Sequence, residues 1–98
     1  MTVIVVRCED HRSDGWSCTV TLREDGVPVS THQVRVRLSD LERLAPDASD
    51  PTALVKASFA FLLERESPRS ILRSFDLLDI ARYFPEYEKT IRHTIRAT

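Results

Sequence analysis

The sequence predicts an α+β domain, and three observations carry that prediction. The apolar residues change period once, near residue 39, from two to about 3.6. An Asp25-Gly26 dipeptide separates two alternating segments, as a tight hairpin requires. After that change come a capping box at Ser39–Glu42 and helix-starting prolines at Pro51 and Pro85. The expected layout is a three-stranded antiparallel sheet over residues 1–38, followed by a helical part over 39–98 that packs on one face. All 98 residues belong to a single domain, because no linker or internal repeat divides them.

The first strand is expected over Val3 to Arg7. Its unbroken apolar run suggests two covered faces and a central position. A polar loop, residues 9–15, leads to a second strand in which Trp16, Cys18, Val20 and Leu22 alternate with Ser17, Thr19, Thr21 and Arg23. The third strand alternates Val34, Val36 and Leu38 with Arg35 and Arg37. A two-residue type I′ turn at Asp25-Gly26 would pair Cys18 with Gln33, placing Val34 and Val36 opposite to Trp16. One inserted residue restores the phase, so a β-bulge is predicted between Pro28 and His32. Pro28 cannot donate to a ladder and marks the same stretch as irregular or edge.

Ser39-Asp40-Leu41-Glu42 reads as a capping box opening a short helix that ends before Pro46. Asp50-Pro51 opens the main helix, expected over Pro51 to about Glu66 and apolar around most of its circumference. A short helix from Ser67-Pro68 toward Arg73 and a further one from about Phe75 follow. The latter must stop by Phe84, since a residue before proline avoids helical geometry. Pro85 starts the last helix. The expected core is Val3, Val5, Trp16, Cys18, Val20, Leu22, Val34, Val36, Leu41, Leu54, Phe59, Phe61, Leu62, Ile71, Leu72, Leu77, Ile80 and Ile91.

Composition narrows the function classes. Fourteen Lys and Arg against fifteen acids give a net charge of −1, which provides no global pull toward nucleic acid or acidic membrane. The opening apolar run is too short for a signal peptide or a membrane span, so no membrane partner is expected. Cys8 and Cys18 are the only cysteines, too few for a secreted disulfide framework. The expectation is a reduced cytoplasmic protein with two thiols, a Cys8–Cys18 bridge being the lesser alternative.

The segments Phe61-Leu62-Leu63-Glu64-Arg65-Glu66, Ser70-Ile71-Leu72, Phe75-Asp76-Leu77 and Arg82-Tyr83-Phe84-Pro85-Glu86-Tyr87 together resemble a known pattern. They are similar to a family of short bacterial proteins with a FLLERE…SIL…FDL…RYFPEY signature and no established activity. The resemblance covers the C-terminal third well and the strands loosely. It implies a bacterial, cytoplasmic, stand-alone protein and supplies no catalytic residue.

Cys8, His11 and Cys18, with Asp10 and Asp14 between them, match no common zinc spacing, and no metal or other cofactor is expected. Glu9, Asp10, His11 and Asp14 crowd one loop, yet no nucleophile motif or phosphate-cradling glycine loop accompanies them. No catalytic residue, no enzymatic activity and no small-molecule substrate are therefore expected. The aromatic group Phe75, Tyr83, Phe84 and Tyr87 reads as core and boundary packing.

Charge distribution is the more informative signal. Residues 1–50 hold six arginines against nine acids, and residues 51–98 hold eight basic residues against six acids. Lys89, Arg92, His93 and Arg96 recur at helical spacing and share one face. Arg23, Arg35 and Arg37 lie on the expected outer face of the sheet. These seven are the candidate contacts for a partner or for phosphate, although cations near a helix C-terminus are also favoured by its dipole. The leading expectation is a non-enzymatic protein–protein interaction or regulatory module that self-associates or serves a protein partner. The alternative is a nucleic-acid-binding protein using the basic helix face and the sheet arginines.

Overall fold

In the computed structural model, residues 1–97 are described and form an α+β fold. The elements are β1 (Thr2–Asp10), β2 (Trp16–Glu24), β3 (Val27–Val36), α1 (Leu38–Leu44), α2 (Thr52–Leu63), β4 (Ser74–Asp76), α3 (Ile80–Tyr83) and α4 (Tyr87–Ala97). Single 3₁₀ turns occupy Arg12–Asp14, Pro68–Ser70 and Leu77–Asp79. The sheet has four strands in the order β1-β2-β3-β4, antiparallel except for the parallel pair β3 and β4.

The hairpin follows from its residues. Asp25 and Gly26 have φ of 51° and 80°, the two positive values a type I′ turn needs. The register then shifts between Leu22 and Arg23, where Leu22 faces Ser30 and Arg23 faces Pro28. Val29 is the extra residue, and the bulge lies where the phase mismatch requires it. Trp16, Cys18, Val20 and Leu22 consequently share the buried face with Val36, Val34 and His32.

Four expectations about the strands and cysteines are corrected. β1 is an edge strand rather than a central one. Its alternate residues Ile4, Val6 and Cys8 pack against the core, while Val3 and Val5 face outward at 50% and 41% exposure. An apolar run cannot by itself distinguish two covered faces from one. Cys8 and Cys18, directly opposite each other on β1 and β2, form a disulfide and not two free thiols. Adjacent antiparallel strands bring facing Cβ atoms within disulfide reach, a proximity that cysteine counting cannot see. The fourth strand, Ser74–Asp76, replaces the expected start of a helix at Phe75. It is held beside β3, with the preceding Arg73 carbonyl accepting from the Gln33 N–H at 2.7 Å.

The helices begin and end close to their signals, with shifts that local hydrogen bonds explain. α1 is capped at Arg37, two residues before the expected cap Ser39. The buried Asp40 carboxylate, rather than Glu42, turns back to accept the Arg37 N–H at 3.0 Å. Asp50 accepts the Thr52 N–H at 2.9 Å at the start of α2, which holds its carboxyl below the usual range. α2 ends at Leu63, three residues short of Glu66, where the Arg65 and Glu66 amides both turn back to the Leu62 carbonyl. The last expected helix in the Phe75–Phe84 segment shortens to α3, and Phe84 is extended before Pro85 (φ −131°, ψ 91°).

Helices cover only the inner face of the sheet. α2 leans on β1 and on α4, with Leu54, Val55, Phe59, Phe61 and Leu62 buried. Phe61 meets the ring of Tyr87 edge-on at 5.3 Å and that of Phe84 at 5.9 Å, while the Arg65 guanidinium covers its other side at 3.6 Å. The expected core is found buried except for Val3, Val5 and Leu72, and it also includes Leu44, Ala45, Val55 and Tyr87. Leu72 follows Ile71 in a short extended connection, so only one of the two side chains turns inward.

Two buried polar links complete the interior. His32 Nδ1 donates to the Leu72 carbonyl at 2.7 Å, because a carbonyl can only accept. Its Nε2 lies 2.9 Å from the Ser30 hydroxyl, and its ring packs against Phe59. Ser58 donates to the Leu54 carbonyl at 2.8 Å, which leaves its oxygen to accept the Tyr87 hydroxyl at 2.6 Å. Burial raises the Tyr87 pKa far above the ordinary tyrosine value, and the charges of Asp40 and Glu88 add to the rise.

Phe61→Ala is expected to cost about 3–5 kcal/mol of unfolding free energy and Leu72→Ala less than about 1 kcal/mol, in denaturant titrations. Equal losses would contradict the placement of Leu72 at the surface. Above about pH 10 an unfolded tyrosine releases a proton that buried Tyr87 retains, so stability present below that pH is lost as pH rises. Tyr87→Phe is expected to flatten this alkaline decline relative to wild type. Parallel declines in the two proteins would remove Tyr87 as its source.

Candidate functional site

The sequence-derived contact residues fall on two surfaces separated by the core. Lys89, Arg92, His93 and Arg96 all lie exposed on α4, whose opposite side is anchored by Tyr87 and Ile91. None of the four takes part in an ion pair or side-chain hydrogen bond among the described residues. The acid on the neighbouring turn, Glu88, is held by Arg43 of α1 through a two-pronged contact at 2.6 and 3.4 Å. The face is therefore cationic in fact as well as in sequence. It borders an open depression shared with Arg43 and Pro85.

The sheet arginines are in different circumstances from one another. Arg23 folds over the hairpin, donating to the Gly26 carbonyl at 2.6 Å. Arg37 lies 3.6 Å from Asp76 of β4. Arg35 is exposed and unpaired among the described residues, and it stands across from Ser17 on β2. The structure brings Arg35 and Arg37 together and leaves Arg23 at the other end of the sheet.

Arg35 and Arg37 line an open cleft of about 820 Å³ with His11, Ser13, Asp14, Trp16, Ser17, Leu38 and Ser39. The cleft exists because Gly15 lets the 11–15 loop rest on the β3–α1 junction. Its φ is 92°, and a Cβ there would lie 2.2 Å from the Val36 carbonyl oxygen. In that loop His11 Nε2 comes within 3.0 Å of Ser17 Oγ. A serine–histidine pair is the minimum for an activated nucleophile. Here no carboxylate holds His11 Nδ1 among the described residues, and both partners face water. Asp10, the nearest acid in sequence, is engaged with the Arg12 N–H at 2.6 Å. The pair is a surface hydrogen bond. Sequence reading saw the crowded loop but not Ser17, which reaches it only through the β1–β2 pairing.

The disulfide uses both sulfurs that were weighed as zinc ligands. Among the described residues no group of three His, Cys, Asp or Glu side chains could hold a metal ion, and no helix is long and apolar enough to cross a membrane.

One further concavity was not visible as a site in the sequence. It is an apolar hollow of about 140 Å³ between the end of α2 and α3, floored by Leu62, Ile71, Phe75, Ile80 and Phe84. Leu72 and Tyr83 stand at its mouth, 52% and 66% exposed, with Glu66 and Asp79 on the rim. The sequence signal for it was an apolar content over residues 54–87 larger than one sheet face needs.

No family model, curated protein or solved structure matches the chain.

Proposed function

We propose that the protein is a small non-enzymatic protein–protein interaction module, of the bacterial and cytoplasmic setting that the sequence resemblance implies. The observation that carries this reading is the hollow beside Leu72 and Tyr83. Two large apolar side chains remain in water around a preformed apolar floor, an arrangement typical of a site awaiting a partner's side chain. Glu66 at the rim favours a partner segment that presents a bulky apolar residue beside a lysine or arginine, whereas Asp79 there already faces the Arg82 guanidinium and the Asp76 N–H.

A second reading, nucleic-acid binding, is favoured by Lys89, Arg92 and Arg96 on α4, three cations unpaired among the described residues, with His93 beside them. It is the weaker of the two because the sheet arginines lie on a different surface and the net charge is −1.

The leading reading is tested by co-purification from the native host with a C-terminally tagged wild type and a Leu72→Ser/Tyr83→Ser variant. The variant is expected to lose a specific protein partner while keeping its circular dichroism spectrum, since both side chains are exposed. Recovery of the same partners by both proteins would overturn the reading. For the second reading, binding of duplex or single-stranded nucleic acid is expected to weaken with a log–log salt slope of about −2 to −3. Replacing Lys89, Arg92 and Arg96 with Gln should flatten that slope, with tenths of a kcal/mol change in stability. No binding at low ionic strength would leave these cations as a solvated helix face.

A further inference from the structure

The free edge of β1 has the features of a strand that pairs with a copy of itself. Which backbone groups it offers follows from the register. Cys8 and Cys18 lie opposite each other with Cα atoms 4.0 Å apart, the close spacing of a non-hydrogen-bonded antiparallel pair. The alternation then assigns Val3, Val5, Arg7 and Glu9 to the bonds with β2. Thr2, Ile4, Val6 and Cys8 turn their N–H and C=O groups to the other side. The same alternation, carried across β2, requires Gln33 of β3 to point away from β2, and its N–H does bond to the Arg73 carbonyl instead. No strand lies beyond β1, and no backbone hydrogen bond outside the strands reaches these residues among those described.

Edge strands that must remain single are ordinarily protected by proline, a bulge, short length or charge. β1 has none of these over its first half. It pairs continuously with β2 for nine residues, contains no proline, and carries no charged side chain before Arg7. Val3 and Val5 meanwhile stand in water on the outer face, although nothing in the β1–β2 pairing requires apolar residues there.

We propose that β1 pairs antiparallel with β1 of a second copy, about a two-fold axis at Val5, joining two four-stranded sheets into one. In this register Ile4 faces Val6 of the second copy and exchanges both backbone bonds with it, and Thr2 and Cys8 do the same. Val5 faces Val5, and Val3 lies beside the stem of Arg7. A register centred on Val6 would also satisfy the backbone, but it brings the two Arg7 side chains to diagonal positions and sets Val3 against Glu9. Charge therefore rejects the Val6 axis, and an axis at Ile4, which pairs only residues 2–6, makes fewer backbone bonds than the Val5 axis, which pairs residues 2–8. Directly opposed residues share a face, so the helices of both copies lie on one side of the joined sheet and the polar face remains open on the other. This deepens the reading of the protein as an association module by naming one partner, and it uses a surface distinct from the Leu72–Tyr83 hollow.

Light scattering on the size-separated full chain tests the proposal, supported by two variants. Wild type is expected to be a dimer that dissociates on dilution. Val5→Lys places like charges directly opposite each other and should weaken the dimer by at least about tenfold, with an unchanged circular dichroism spectrum. Val5→Cys should form an intermolecular disulfide linking residue 5 to residue 5, mapped by mass spectrometry with the Cys8–Cys18 bridge intact, whereas Val3→Cys should not. A wild type that stays monomeric at all concentrations overturns the pairing without touching the Leu72–Tyr83 reading. A dimer unaffected by Val5→Lys, or a Val5→Cys dimer that does not cross-link, overturns it as well.

Discussion

The single extra residue at Val29 governs the arrangement of the sheet. Side chains alternate with a period of two, so a register slip of one residue moves every side chain of a strand to the other face. The Asp25-Gly26 turn alone would have turned Val34, Val36 and His32 toward water. With the bulge, all three join Trp16, Cys18, Val20 and Leu22 on one buried face. Everything packed above that face depends on this phase, including the aromatic layer of Phe59, Phe61 and Tyr87.

His32 shows how far the consequence extends. It is the one histidine on the buried face, and it reaches forty residues along the chain to the Leu72 carbonyl. That bond and the parallel pairing of β4 fasten the 68–76 connection along the far edge of β3. The sheet is thus asymmetric at its margins. One edge is occupied by β4 and its neighbouring turns, the other is β1 with nothing beyond it. A one-sided sheet also explains the chemistry of its outer surface, where Thr19, Thr21, Gln33 and Arg35 need no burial.

The surfaces left over divide by chemistry. The helical side offers an apolar hollow with an acidic rim and, on α4, a cationic face. The sheet side offers a polar cleft at one end and an unpaired edge. The cations are spread over two surfaces, whereas the hollow and the edge are each self-contained.

Much of this was legible in the residues. The period-two segments, the positive-φ turn, the bulge and the helix entry at Asp50-Pro51 are local matters, decided by side-chain alternation and backbone sterics. So was the exposure of Lys89, Arg92, His93 and Arg96, since helical spacing puts them on one face. Tertiary structure alone decided which apolar strand lay at the edge, because an apolar run is compatible with one covered face or two. It also decided that Ser74–Asp76 would be a strand, a three-residue element whose stability comes from β3 rather than from its own pattern. The Cys8–Cys18 bridge, the His11–Ser17 contact and the Leu72–Tyr83 hollow belong to the same class. Each joins residues through strand pairing or helix packing, and the physical quantity that creates it is a distance through space, on which spacing along the chain is silent.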